Sequence, residues 1–347
     1  MKKLLKNKQL WGALIAVVLL IICFKSVRLA DINSLLYRLN YHFFIPSVLC
    51  SFIFLIVRAL RWRVMITRQA PCGAIRTVTL YAAGQVINMA MPVLTGQVGR
   101  LLLYSKKLDL RKTFVFSTMV LEVIFDALSL LIFMFFTSLA FAFPKEYRMI
   151  SFIVAGLTAL VLLLMYLMLN YQQKLEEVGR RRLAPRWPGF YIGLKKGVRS
   201  FAKGVSLLRS SQHMATSILL SLLAWTSHVM VIWLLYESFG FKLPVAAAAA
   251  VVIVNAIVLM IPITPGNAGT FEIVVSSSLT AFSVGRADAV LFALALHLID
   301  LVPVITLGAF FFRKDRHIMK TMRQIAKDKT IINHIGEDGG YVEEEKV

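Results

Sequence analysis

The chain has 347 residues, of which 58% are hydrophobic and only 16% charged, and its mean hydropathy is +0.73. Soluble domains carry roughly a quarter of charged residues, so this composition excludes a soluble globular enzyme. The formal net charge of +21 would indicate nucleic-acid binding only if the basic residues formed one surface. Their distribution between the predicted loops, described below, explains the charge instead.

Six segments are apolar over the ~20 residues that a helix needs to cross a bilayer. They are 10–29, 43–60, 113–143, 149–169, 214–239 and 289–312. The first segment follows four lysines but no small-residue cleavage site comes after it. We therefore interpret it as an uncleaved membrane span and not as a signal peptide.

The basic residues are distributed unevenly between the predicted loops. With the N-terminus in the cytoplasm, 32 of the 39 Lys and Arg fall on the cytoplasmic side and 7 on the outer side. This bias follows the positive-inside rule. We expect a multi-pass protein of the cell (inner or plasma) membrane with both termini cytoplasmic. Its basic face should attract anionic lipid headgroups, and nucleic acid is not needed as a partner.

Two further apolar stretches, 78–104 and 245–284, contain Pro and Gly at their centres and are flanked by loops assigned to one side of the membrane. Non-helical backbone at membrane depth survives only where it is buried in protein or lines a cavity. Both stretches are therefore predicted to be re-entrant hairpins, the first entering from the cytoplasm and the second from outside.

The two hairpin tips resemble each other. Residues 92–99 and 262–269 share their leading proline and both glycines, so that position 92 corresponds to position 262. At the same offset, 41–60 aligns with 211–230 and 113–142 with 283–312. The fold class predicted is an all-α integral membrane protein with six transmembrane helices plus two oppositely oriented re-entrant hairpins, an inverted-topology repeat of the kind common in secondary transporters.

Domain organisation follows from this repeat. Residues 1–313 form a single transmembrane domain, with repeat one at 1–143 and repeat two at 149–313, and residues 314–347 form a cytoplasmic tail. The cytoplasmic linker 171–212 carries ten basic residues. Its part 191–208 is either an interfacial amphipathic helix or a solvated basic loop.

Three motifs resemble a known family. They are Pro265-Gly-Asn-Ala-Gly-Thr-Phe-Glu272, Asn88-Met-Ala-Met-Pro92 with Gly96-x-x-Gly-Arg100, and Glu122-x-x-x-Asp126. In this order they resemble the transmembrane flippase-like domain of the lysylphosphatidylglycerol synthase/flippase family. The chain departs from the family pattern at Gln97, where an acid is frequent, and at Val123, where Arg is frequent. No synthase domain follows, so the resemblance implies a stand-alone flippase-like member and not aminoacylation of phosphatidylglycerol.

Four of the 18 acidic residues lie well inside apolar segments: Glu122, Asp126, Glu272 and Asp300. Intramembrane ionisable groups are costly and usually face a cavity or a partner. Glu122 and Asp126 share a helix face, and so do His297 and Asp300. These pairs are either functional groups or ion pairs, with Arg100 neutralising Glu122 or Asp126 and with His297 neutralising Asp300.

After each tip a second half-helix begins, and its free N–H groups predict an anion site. Arg100 would add charge for a lipid phosphate, whereas Glu272 either binds a cationic headgroup or a proton or caps its own helix. Arg58, Arg61 and Arg63 either guide anionic headgroups or anchor the span. The candidate substrate-binding residues are Asn88, Pro92, Gly96, Gln97, Gly99, Arg100, Glu122, Asp126, Pro265, Gly266, Asn267, Gly269, Glu272, His297 and Asp300.

The leading functional hypothesis is a flippase or transporter that moves a phosphate-bearing lipid between leaflets: a phospholipid, a modified phospholipid or a polyprenyl-phosphate-linked lipid. The alternatives are an intramembrane transferase that acts on a lipid-linked group and an accessory membrane subunit of a glycosyltransferase. Neither a metal nor a cofactor is expected, and Cys23, Cys50 and Cys72 are interpreted as packing residues. Partners other than lipids would be a second copy of the chain or a lipid-modifying enzyme.

Overall fold

The structure is a computed structural model that describes residues 16–23, 25, 37–91, 94–140, 211–259 and 264–314, together with isolated residues between 156 and 195. All regular secondary structure in these residues is helical. The expected span 149–169, the linker 171–212 and the tail 314–347 lie almost entirely outside the described residues, and so does much of the expected first span.

Four long helices have the length and hydropathy that a membrane crossing requires. They are α1 (Tyr41–Ile66), α4 (Lys112–Ala140), α5 (Ser211–Phe239) and α8 (Arg286–Lys314). They coincide with four of the six expected spans. The protein is therefore a multi-pass membrane protein of all-helical class.

Local chemistry explains where these helices begin and end. The Asn40 side chain accepts a hydrogen bond from the His42 amide at 3.1 Å and so caps the start of α1. At the end of α5, Gly240 has φ +72° and the Phe241 amide donates to the Tyr236 carbonyl at 2.9 Å. This left-handed glycine satisfies carbonyls at the helix end, which stops the span there.

Four shorter helices lie between the long ones in two pairs. The first pair is α2 (Ala74–Ala90) and α3 (Leu94–Leu108), and the second is α6 (Val245–Val258) and α7 (Thr270–Ala281). Their lengths of 17, 15, 14 and 12 residues are all below the ~20 residues of a full crossing. In the first pair α2 ends at Ala90 and α3 begins at Leu94, and in the second α6 ends at Val258 and α7 begins at Thr270, so each pair is interrupted near its predicted tip.

Contacts between helices cross from one half of the chain to the other. Helix α1 packs along α5, α2 packs against α8, and α6 packs against α4. Some side chains of each half also pack in the apolar core of the other half. Leu130 of α4 packs in the core of the second half, and Val304 and Phe311 of α8 pack in the core of the first. Through these contacts the turn at 265–267 lies against α2, which belongs to the other half of the chain.

Candidate functional site

A cavity of about 250 Å³ lies where the two halves meet. Its wall includes Arg58 of α1, Asn88 of α2, His228 of α5, Asn255 of α6 and both His297 and Asp300 of α8, together with the second break at Gly266 and Asn267. Apolar side chains, among them Phe54, Trp225 and Phe271, complete it. Five helices and one break therefore present polar groups to a single space inside an otherwise apolar bundle.

The second break is a tight turn whose backbone needs glycine. Residues Pro265–Asn267 form a single 3₁₀ turn in which Gly266 has φ +60°, and Gly269 follows with φ +83°. A Cβ on Gly269 would also lie 2.5 Å from the Cβ of Leu19, which belongs to the first helical segment, residues 16–23. Hydroxyl groups hold the turn, since Thr264 Oγ1 donates to the Ala268 carbonyl at 2.9 Å. The break is thus ordered by its own side chains.

Glu272 occupies the N-terminus of α7. Its Oε2 accepts a hydrogen bond from the Gly269 amide at 2.6 Å, and Glu272 as a whole is only 2% exposed. A carboxylate at this position satisfies a free amide and complements the helix dipole. The capping interpretation of Glu272 therefore agrees with the geometry, and its carboxylate occupies the N-terminus of α7, one of the two helix ends for which the sequence predicts an anion site.

His297 connects α8 to the second break. Its Nδ1 lies 2.7 Å from Glu272 Oε1, its Nε2 lies 3.1 Å from the Gly266 carbonyl oxygen, and its ring stacks on Phe271 with centroids 4.5 Å apart. The expected pairing of His297 with Asp300 is wrong. Although the two residues share a helix face, His297 reaches α7, whereas Asp300 reaches α5, where His228 Nε2 lies 3.2 Å from its Oδ2.

The first break differs from the second. Helix α3 already begins at Leu94, so Gly96, Gln97 and Gly99 lie in its first turns and not in a turn of their own. A Cβ on Gly96 would lie 2.5 Å from the Asn88 carbonyl oxygen, so this glycine permits close approach of α2 and α3. Pro92 lies outside the described residues.

Arg100 and Glu122 form a buried ion pair away from the cavity wall. Arg100 Nη2 donates to Glu122 Oε2, and Arg100 Nε donates to the Tyr104 hydroxyl at 3.1 Å. The guanidinium also lies over the Tyr81 ring, 5.0 Å from its centroid. Arg100 and Glu122 are 5% and 3% exposed. Of the two interpretations of Arg100, this geometry supports the ion pair.

Asp126 binds two of the three arginines that are expected from sequence either to guide anionic headgroups or to anchor the span. Arg58 Nη2 donates to its Oδ2 at 2.7 Å, Arg61 Nη1 donates to its Oδ1 at 2.6 Å, and Trp225 Nε1 donates to Oδ1 at 3.2 Å. Arg61 is fully buried, so it is not a surface anchor. Because one carboxylate faces two guanidinium groups, this cluster carries one surplus positive charge.

The surplus charge lies beside the cavity. The Arg58 side chain is 24% exposed and its guanidinium carbon lies 5.3 Å from the centroid of the Phe54 ring. His228 stacks on the same ring with centroids 4.5 Å apart. Arg58 and His228 are separated by the same offset as the two predicted hairpin tips, so the predicted repeat relates them. The offset could have identified His228 as a site residue from sequence, but no motif singled it out.

Several buried polar atoms around the cavity have no hydrogen-bond partner among the described residues: Arg58 Nε, His228 Nδ1, Asn255 Oδ1 and Asn267 Oδ1. Leaving such groups unpaired inside a protein costs about 1–3 kcal/mol each. These groups belong to residues that line the cavity, so its wall is suited to a polar ligand or to water. No cluster of three His, Cys, Asp or Glu suited to a metal occurs within the described part of the chain.

Comparison with known proteins adds a family and a relative. The family described as "Lysylphosphatidylglycerol synthase TM region" matches residues 9–308. The UPF0104 membrane protein MJ1595 of Methanocaldococcus jannaschii is 22% identical over 299 residues, which cover 81% of this chain and 87% of that protein. No solved structure matches the chain.

Proposed function

Since the chain belongs to the lysylphosphatidylglycerol synthase transmembrane family, we propose that it is a lipid flippase that moves a phosphate-bearing lipid between the two leaflets. The observation that carries the proposal is the polar cavity between the halves. Secondary transporters built from repeats bind substrate at the interface of the repeats, beside broken helices. The partly exposed Arg58 guanidinium at the cavity wall supplies a cation that fits an anionic headgroup.

In this proposal the short helix pairs are re-entrant hairpins that enter from opposite leaflets. The helices that correspond under the repeat offset make equivalent contacts: α2 with α8 corresponds to α6 with α4, and α1 with α8 corresponds to α5 with α4. A bundle with this internal symmetry has two related ways of closing around its centre. Alternating access of the cavity to the two leaflets is the transport mechanism that such symmetry supports.

The size of the cavity restricts which part of a lipid it accepts. Its volume of about 250 Å³ lies below the ~300–1,000 Å³ of pockets that enclose drug-sized ligands. The cavity therefore accommodates a headgroup, while the acyl chains stay in the surrounding bilayer. A guanidinium is a suitable group for the phosphate, because its N–H groups match two phosphate oxygens.

The test is transport by the purified protein alone. Vesicles of phosphatidylethanolamine and phosphatidylglycerol carry a trace of phosphatidylglycerol labelled with a fluorophore that an added reductant destroys in the outer leaflet only. Vesicles that contain the protein should lose the label from both leaflets, and the recovered lipid should be chemically unchanged. Protection of the inner label equal to that in protein-free vesicles would contradict transport of this lipid, and a chemically altered lipid would support the transferase alternative.

A further inference from the structure

We propose that Glu272 and His297 form a proton-binding site and that binding and release of this proton are coupled to lipid movement. The proposal rests on the transport function above and adds its energy source. It is carried by three contacts already described: Gly269 amide to Glu272 Oε2, His297 Nδ1 to Glu272 Oε1, and His297 Nε2 to the Gly266 carbonyl oxygen.

Counting donors and acceptors shows why these contacts hold a proton. The Gly266 carbonyl can only accept, so His297 Nε2 must carry a hydrogen. Nδ1 of the same ring faces a carboxylate oxygen at 2.7 Å, and two lone pairs would repel each other at that distance. One proton therefore lies between Nδ1 and Oε1, whether it is written as an imidazolium with a carboxylate or as an imidazole with a carboxylic acid.

Loss of this proton breaks one of the two contacts of the imidazole. A neutral ring has a single N–H. If the hydrogen stays on Nε2, then Nδ1 and Glu272 repel each other; if it moves to Nδ1, then Nε2 and the Gly266 carbonyl repel each other. Either outcome weakens the contact between α8 and the second break, so the bound proton holds the two together.

The Glu272–His297 pair lies where a change in its protonation can alter the cavity wall. His297 and Gly266 both line the cavity, whereas Glu272 is 2% exposed and does not. A proton therefore reaches Glu272 from the cavity through His297. Gly266, at φ +60°, belongs to the turn that forms one wall of the cavity, so movement of this turn changes the space that receives the headgroup.

Other ionisable groups near the pair are few. Cys23 of the first helical segment lies within electrostatic range of both Glu272 and Arg286. Helix α6, which packs against α7, has no ionisable residue. The end of α2 that lies against the second break presents Gln85, Asn88 and Met89 to the cavity, and none of them is ionisable.

Across the cavity the charged groups are Arg58 and the pair of His228 and Asp300. The latter pair is the competing proton site, since it also joins an imidazole to a carboxylate. Its geometry differs, however, because His228 Nδ1 has no hydrogen-bond partner among the described residues. A neutral His228 with its hydrogen on Nε2 satisfies Asp300 without an additional proton, so this pair does not require one.

The experiment uses the labelled phosphatidylglycerol vesicles with a pH-sensitive dye inside and an imposed difference of one pH unit. That difference corresponds to a tenfold ratio of proton activity, and one proton per lipid can therefore drive the label to about a tenfold ratio between leaflets. We expect the wild-type protein to show this redistribution and to move protons only when lipid is moved. Glu272→Gln should abolish the response to the gradient, because the amide reproduces the contacts of the protonated acid and cannot release a proton.

Asp109→Asn is the matched control, a carboxylate-to-amide change at an exposed residue outside the cavity wall, and it should keep the response to the gradient. Asp300→Asn tests the competing pair. The inference is overturned if the wild-type protein moves lipid but the ratio of label between the leaflets is the same with and without the pH difference. That result leaves the transport function intact. It is also overturned if Asp300→Asn loses the response while Glu272→Gln keeps it. If Glu272→Gln does not fold, absence of proton movement with lipid in the wild-type protein still overturns it. Wild-type protein that moves no lipid contradicts the transport function itself.

Discussion

Among single residues, the intramembrane carboxylates can be found from sequence but their partners cannot. Glu122, Asp126, Glu272 and Asp300 stand out because charge inside an apolar segment is costly. Each has a basic or imidazole partner in the structure. The partners come from other helices, and helix neighbours are not encoded in the spacing of residues on one helix. For this reason the sequence alone does not reveal that two arginines of α1 bind Asp126.

Arg100 provides a prediction at the level of single residues. Arg100→Gln should destabilise the protein by about 3–5 kcal/mol, because it leaves the Glu122 carboxylate buried without its cation. The double variant Arg100→Gln with Glu122→Gln should recover much of this loss. Thermal and denaturant unfolding of the purified protein in detergent would measure both. Lys106→Gln, a change at an exposed position of the same helix, should alter stability by less than about 0.5 kcal/mol.

A normally stable Arg100→Gln protein that no longer binds lipid would contradict this account. It would return Arg100 to the role of a phosphate ligand, which the sequence alone leaves open.

Among the helices and their connections, the sequence predicts the helices better than the breaks. The four long helices follow directly from apolar runs. The two glycine-rich tips look alike in sequence, yet Gly96 and Gly99 are helical whereas Gly266 and Gly269 have positive φ. A matching pattern of glycines indicates where a side chain is not tolerated, but it does not distinguish close helix packing from a left-handed turn.

The glycines therefore give separate predictions of cost. Gly96→Ala places a Cβ against the Asn88 backbone, which cannot move as a side chain can, and should destabilise the protein by about 1–3 kcal/mol. Gly156→Ala is the control, since that helical glycine has open space around it, and it should be neutral or slightly stabilising. Unfolding measurements on the two variants would check the difference, and equal stability would show that α2 and α3 do not approach closely.

For the complete bundle, sequence and structure agree on an all-helical, multi-pass membrane protein. Helices α1 and α5 begin at Tyr41 and Ser211, which are separated by the offset of the predicted repeat. What the sequence could not provide is the way in which the halves interlock, since this depends on which long helix each short pair packs against. That packing creates the cavity and brings Arg58, His228 and His297 to one place.

Membrane topology provides the prediction for the bundle. In a protein whose cysteines at 23, 50 and 72 are replaced by alanine, a cysteine at Lys106 should react with impermeant reagents from the cytoplasmic side. A cysteine at Lys242 should react from the outside, and both positions are exposed. Labelling of position 106 from the outside would show that the first short pair crosses the membrane, and the inverted repeat would then be wrong.

The proposed transport depends above all on passage of a phosphate-bearing headgroup through the cavity beside Arg58. The decisive comparison is the initial rate of labelled phosphatidylglycerol movement in vesicles for Arg58→Gln against Arg68→Gln, the same change at an exposed arginine at the end of α1. Arg61 still neutralises Asp126 in Arg58→Gln, so that variant should fold. We predict a roughly tenfold slower rate for Arg58→Gln, from loss of about 1.4 kcal/mol of charge-assisted binding, and an unchanged rate for Arg68→Gln. Equal rates for wild type and Arg58→Gln would contradict the account.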